Sequence, residues 1–280
     1  MNTIFISIVI EALPFILIGV IISSVIQIFI SEEFIAKIMP KSTVLSVLFA
    51  SVLGSIIPAC ECGIVPITRR LMLKGVPLPA AMAFMLAGPI INPIVLSSTY
   101  IAFGNSWKMV LYRAGFALLT SFIVGILLKL FVKESPLRNN RPEHSHSHSM
   151  KEKISELLSH SIDEFFSVGK FLVFGSLIAA AVQTLIKTST LVTIGSGPLS
   201  SHIVMMGLAY LLSLCSQADA FIASSFRTSF SEGAILAFLV FGPMLDIKNT
   251  FMLLSTFKSK FVWKLTAIIT ITVLVVTLFV

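Results

Sequence analysis

Charge is what this sequence has least of. Of its 280 residues 12% are Asp, Glu, Lys or Arg, while 56% are hydrophobic and the mean hydropathy is +0.99. A globular domain carries about 25% charged residues, so an ordinary soluble core is excluded. The three cysteines are too few for a disulfide scaffold. There is no Walker A sequence, no G-x-G-x-x-G and no H-E-x-x-H, so the chain has no motif for coupling ATP hydrolysis by itself. Stretches of about 10 residues with alternating polarity, the mark of a membrane β-barrel, are absent. Met1-Asn2-Thr3 supplies no basic segment before the first apolar run, so that run is read as a retained span rather than a signal peptide.

What is present is apolar sequence long enough to cross a bilayer, which takes roughly 20 residues. The fold class expected is an all-α polytopic membrane protein of about eight transmembrane helices, as two four-helix repeats with broken helices at a central site. The first four spans are Thr3–Ile30, Thr43–Pro58, Ala80–Phe103 and Trp107–Val132. The second four are Phe165–Ile186, Ser201–Phe226, Gly233–Phe257 and Phe261–Val280. Residues 133–160 change abruptly to Lys, Arg, Glu, Ser, Pro and His, which reads as a solvated basic linker with a short amphipathic helix at Ile154–Leu158. The division is therefore 1–132, first repeat; 133–160, linker; 161–280, second repeat.

The two halves resemble each other. Gly19 and Gln27 fall opposite Gly175 and Gln183, Gly88-Pro89 opposite Gly242-Pro243, Asn92 opposite Asp246, and Cys60 opposite Cys215, all at an offset of about 155 residues. Corresponding interruptions in two halves point to a transporter's midplane site. The interruptions expected are Pro58, Gly63 and Pro66 around the first cysteines, then Gly88, Pro89 and Pro93, and Gly242 with Pro243 in the second half. Counting eight crossings with the basic linker in the cytoplasm puts both termini in the cytoplasm and the halves parallel. Lys37, Lys41, Lys258 and Lys260 then face outward, against the positive-inside tendency.

The chemistry centres on Pro58-Ala59-Cys60-Glu61-Cys62-Gly63-Ile64-Val65-Pro66. Residues i and i+2 do not face one another on a helix, so Cys60 and Cys62 share a ligand only if the backbone is irregular there. Such backbone is tolerated at membrane depth where it is buried in protein or lines a cavity. Thiolates select soft metals. Cys215, in Leu214-Cys215-Ser216-Gln217-Ala218-Asp219, joins them if the halves are pseudo-symmetric; alone it reads equally as a small core residue. Glu61, Asp219 and Asp246 are intramembrane carboxylates, which serve as proton relays or substrate contacts or pair with Arg113, Lys248 or Arg227 for packing. Glu11 belongs either to this group or to the interface. The expected substrate-binding set is Cys60, Cys62, Cys215, Glu61, Asn92, Gln217, Asp219 and Asp246. His144, His146 and His148 alternate with serine and suit Zn²⁺ or a similar ion, or form only a spacer.

The Cys60–Cys62 stretch, Gly88-Pro89-Ile90-Ile91-Asn92-Pro93 and Gly242-Pro243-Met244-Leu245-Asp246 resemble the YraQ-like predicted permeases, a family that includes ArsP-like organoarsenical efflux permeases. The resemblance implies an eight-span cell-membrane permease and, for the ArsP-like members, efflux of trivalent organoarsenicals with cysteine participation. The expectation is a non-enzymatic secondary permease exporting a small inorganic or organometallic thiophilic substrate. It needs no cofactor, touches the lipid bilayer and no nucleic acid, and its protein partner is a second copy or a membrane subunit. Two alternatives stay open: a transmembrane thiol-disulfide carrier, and a membrane subunit of a larger metal-transport complex.

Overall fold

In the computed structural model, described for residues 1–29, 32–56, 60–132, 136–138, 150–185 and 197–280, the regular elements are helical apart from one isolated bridge, Leu137 to Phe257. The chain order is α1 Asn2–Phe29, α2 Glu32–Ile38, α3 Thr43–Ile56, α4 Glu61–Leu73, α5 Leu78–Ile91, α6 Pro93–Ala102 and α7 Trp107–Phe131. It continues with α8 Met150–Leu185, α9 Pro198–Leu212, α10 Ser216–Ser225, α11 Glu232–Met244, α12 Ile247–Thr256 and α13 Ser259–Thr277. Met150 to His160, expected within the linker, form the first turns of α8.

Among the described residues six helical stretches are long and apolar enough to cross a membrane: Asn2–Gln27, Leu78–Ala102, Trp107–Phe131, Ser161–Leu185, Glu232–Thr256 and Ser259–Thr277. They correspond to six of the eight expected spans. The other two, Thr43–Ile56 and Leu199–Leu212, are shorter apolar helices of about 20 Å at 1.5 Å per residue, too short for a hydrocarbon core about 30 Å thick.

Contacts fix which way these helices run. Lys129 Nζ at the end of α7 donates to Thr43 Oγ1 at the start of α3 (2.8 Å), and Gly125 sits against Val47 and the Pro79 carbonyl. Gly54 lies against the Phe84 carbonyl and Gly88 against Gly54. So α3 runs beside α5 in the same direction, and α4 must return the chain to the end where α5 begins. The second half does likewise. His202 Nε2 lies 3.2 Å from the Thr277 carbonyl, Gly233 packs on both residues and Gly242 on Ala209; α9 runs beside α11, and α10 returns.

The two hairpins enter from opposite ends of the bundle. α7 starts where α11 starts, joined by Lys108 Nζ to Glu232 Oε2 (2.7 Å), and Arg227 after α10 lies 5.5 Å from the Phe103 ring after α6. At the other end the Arg138 N–H donates to the Thr256 carbonyl (3.0 Å) and the Lys258 N–H to the Pro136 carbonyl (2.8 Å). We call these the terminal end and the linker end. α1 and α8 are antiparallel: Ser161 Oγ donates to Ser24 Oγ (2.9 Å) toward the linker end, and Ile8 meets Ala179 toward the terminal end.

The central pieces are α5–α6 and α11–α12, 78% and 94% buried over their apolar windows. Close crossings depend on glycine. A Cβ on Gly63 would come within 2.6 Å of the Phe15 carbonyl oxygen, so α4 and α1 meet backbone to backbone, the packing that small residues allow in membranes.

Several expected breaks lie elsewhere. Gly63 and Pro66 are inside α4, Gly88 and Pro89 inside α5, and Gly242 and Pro243 inside α11. A proline inside a helix removes one hydrogen bond, which these buried helices absorb without ending. The first half breaks at Asn92, where Pro93 opens α6 and the Asn92 carboxamide accepts the Ile94 N–H (2.9 Å). The second breaks at Leu245–Asp246, where the Asp246 carboxylate accepts the Asn249 N–H (2.5 Å). Both are N-caps, which satisfy a donor of the first helical turn. Pro58 lies outside the described residues.

Candidate functional site

The two hairpin tips carry the cysteines. Cys60 is the N-cap of α4 and Cys215 the N-cap of α10, with nearly the same extended backbone (φ −78°, ψ 172° and φ −79°, ψ 152°). Only Cys60 leaves the helix. Cys62 is in the first turn of α4, correcting the expectation that both cysteines lie on irregular backbone. The carbonyl of Cys60 caps that turn, accepting the Gly63 and Ile64 N–H groups (both 3.1 Å).

A cavity of ≈ 40 Å³ opens where the tips meet the α5/α6 break and the middle of α1, room for about three water-sized groups. Of the expected set, Cys60, Cys62, Cys215, Glu61, Asn92 and Gln217 line it, together with Glu11, Ser216 and Lys248. All three cysteines are free thiols. The three thiols share this lining with the Glu11 carboxylate. Among the described residues no three His, Cys, Asp or Glu side chains are grouped to hold a metal ion. His144, His146 and His148 lie outside the described residues.

Asp219 and Asp246 stand behind the lining. Asp246 Oδ2 is 3.7 Å from Lys248 Nζ, which donates to Glu61 Oε1 at 3.1 Å. Ser216 Oγ donates to Glu61 Oε2 (3.2 Å), and Ser213 Oγ accepts the Lys248 N–H (3.2 Å). This network ties the start of α4 to the start of α12. Glu61 and Lys248 are both buried, so each is held by the other: an unpaired charge there costs several kcal/mol.

Farther along α10, Asp219 is 1% exposed and its Oδ2 has no hydrogen-bond partner among the described residues. It occupies the space left by Gly242. At the corresponding place in the first half Ile64 fills the space left by Gly88, so a carboxylate replaces an aliphatic group. Arg113, fully buried, donates from Nη1 to Thr99 Oγ1 (2.7 Å) and from Nη2 to the Ser216 carbonyl (2.9 Å). Its charge acts on Asp219.

Glu11, Ser216 and Lys248 were not in the expected set. Lys248 carried a usable signal: it falls opposite Ile94 when the halves are aligned, and a cation replacing an apolar residue beside a helix break marks a polar site. The serines carried none.

Comparison with known proteins gives the family. An ArsP-type family model described as "Predicted permease" matches residues 1–280. UPF0718 protein YcgR of Bacillus subtilis (strain 168) is 59% identical over 277 residues, 98% of this chain and 94% of that one. A Streptococcus mutans protein named "Putative two-component membrane permease complex subunit" is 45% identical over 263 residues, 92% of this chain and 87% of its own. UPF0718 protein YraQ of Escherichia coli (strain K12) is 24% identical over 118 residues, 42% of this chain and 34% of that protein. No solved structure matches. The chain belongs to this permease family, as its motifs suggested, and is a multi-pass membrane protein.

Proposed function

We propose that this member of the permease family is a secondary permease that exports a small, soft, thiophilic substrate, a trivalent arsenical or a metal ion, through the cavity between the two hairpin tips. The observation that carries the reading is the convergence of Cys60, Cys62 and Cys215 on one cavity beside the carboxylates Glu11 and Glu61. Soft thiol ligands select soft ions, and ≈ 40 Å³ suits one ion or small metalloid. Thiols that line the cavity without closing into a three-ligand trio fit a substrate passing through. With no nucleotide motif, an ion gradient or a second component drives the cycle.

The architecture that fits is an inverted repeat. Each half supplies three crossings (α1, α5–α6 and α7, then α8, α11–α12 and α13) and one re-entrant hairpin. An odd number of crossings inverts the second half, replacing the expected four parallel crossings per half. The charges then agree with the positive-inside rule. Lys37, Lys41, Lys258 and Lys260 fall at the linker end with Arg69, Arg70, Lys74 and Lys129, whereas Lys108 and Arg227 mark the terminal end. The linker end is cytoplasmic and both termini are outside, the reverse of the sequence expectation.

The printed name of the Streptococcus mutans relative supports a second membrane component in the working permease. The test is accumulation of trivalent arsenicals and thiophilic divalent ions in cells lacking or overproducing the chain. Lower accumulation of one of them on overproduction is expected; no change for any of them contradicts the proposal.

A further inference from the structure

The core of the bundle is paired across its halves, but the α1–α8 pair is placed to one side. α4 packs on α12 and α6 on α10, while α5 meets α11 and α7 meets α13, so exchanging the halves maps each contact onto another. The α1–α8 pair also maps onto itself: Ser23 to Glu164 is the counterpart of Ile8 beside Ala179. Its seat does not map. α1 rests on α4 and α8 mainly on α12, with a lesser contact to α9 where Gln183 donates to the Leu212 carbonyl, and the two main supports lie in the linker-end half of the bundle.

The equivalent seat, on α6 and α10 in the terminal-end half, has no comparable cover among the described residues. Ile94, Ile101, Phe221 and Ile222 are exposed there, and the cavity-lining Glu11 is exposed as well. At the linker end the same helices are latched. Glu164 of α8 lies 3.6 Å from Arg70 and 3.7 Å from Arg69 of α4, and Ser23 Oγ of α1 donates to Glu164 Oε2 (2.9 Å).

We infer that the α1–α8 pair rocks between these two seats, and that Glu164 with Arg69 and Arg70 is the gate holding it shut at the linker end. This rests on the inverted-repeat reading above. In the other state α1 sits on α6 and α8 on α10, closing the terminal end and opening the linker end. Rocking one bundle against another about a fixed midplane site is how inverted repeats alternate access. The geometry names a contact of the second state. Phe174 and Phe251 now touch, with ring centroids 6.1 Å apart; their first-half counterparts are Ile18 and Ser97, both exposed.

The test is disulfide cross-linking of the full chain in lipid, read by peptide mapping. It needs no substrate, so its failure is separate from failure of the permease assignment. Ile18→Cys with Ser97→Cys is expected to cross-link weakly in the parent and about tenfold more with Glu164→Gln, the shift that about 1.4 kcal/mol produces. Phe174→Cys with Phe251→Cys reports the present state and is expected to fall in the same background. No 18–97 cross-link in either background, while the 174–251 pair forms, overturns the rocking. A yield unchanged by Glu164→Gln overturns the gate. Hydrogen exchange on the protein with its native thiols gives an independent reading. Glu164→Gln is expected to raise exchange in α4 and α12 and lower it in α6 and α10; equal changes in the same direction contradict the inference.

Discussion

Lys248 Nζ and Glu61 Oε1 lie 3.1 Å apart across 187 residues of sequence, joining the start of α12 to the tip of the first hairpin. Removing one partner of a buried pair costs about 3–5 kcal/mol, whereas replacing both by neutral groups of similar volume is often nearly neutral. Lys248→Met is therefore expected to lower the thermal midpoint of the purified protein strongly. Glu61→Gln added to it is expected to recover most of the loss. A double variant as unstable as the single one would show that the pair does not hold the two elements together.

Asp219 is the buried carboxylate whose first-half counterpart is Ile64, and a buried polar atom left without a partner costs about 1–3 kcal/mol. Under the proposed function Asp219 takes part in the transport cycle. Asp219→Asn keeps the shape, so the thermal midpoint is expected to change little. Transport is expected to fall about tenfold or more, a difference of about 1.4 kcal/mol. Unchanged transport in a folded Asp219→Asn variant would assign the residue to packing.

How much of this was legible in the chain follows from particular residues. Scarce charge and long apolar runs gave the membrane class, and Cys60 and Cys215 located both hairpin tips. The Gly-Pro pairs marked the right helices but missed the breaks, because losing the Pro89 donor costs one hydrogen bond, while Asn92 and Pro93 together cap a new helix. The run at Thr43–Pro58 reads as a crossing, although its roughly 16 residues fall short of the about 20 that a full span takes. That α4 turns back is written only in tertiary contacts such as Lys129 to Thr43. The sequence offered Lys248 among three cations that the carboxylates could pair with, but not that Glu61 takes it, because nothing local relates two residues 187 apart.

Glycine crossings give a prediction with its own control. Gly63→Ala places a Cβ within 2.6 Å of the Phe15 carbonyl oxygen and is expected to destabilise by about 1–3 kcal/mol, the usual cost of overpacking. At Gly115 a Cβ meets nothing within 4 Å, and Gly115→Ala is expected to stabilise by about 0.5–1 kcal/mol through helix propensity. Thermal unfolding of the two variants checks both. Equal shifts would mean that α1 and α4 do not cross in backbone contact.

Topology is tested by labelling intact cells with a membrane-impermeant reagent. A tag after Val280 is expected to be labelled from outside, and one beside Lys74 only after lysis. The opposite pattern would invert the orientation, and labelling of both from one side would contradict the inverted repeat.

The most direct measurement is uptake of trivalent arsenicals and thiophilic metal ions into inverted vesicles, comparing the parent with Cys60→Ser, Cys62→Ser and Cys215→Ser. Uptake of at least one of them is expected in the parent and a loss of about tenfold or more in the serine variants, with the protein still folded in the membrane. Full uptake by all three variants would mean that the substrate does not pass between these thiols.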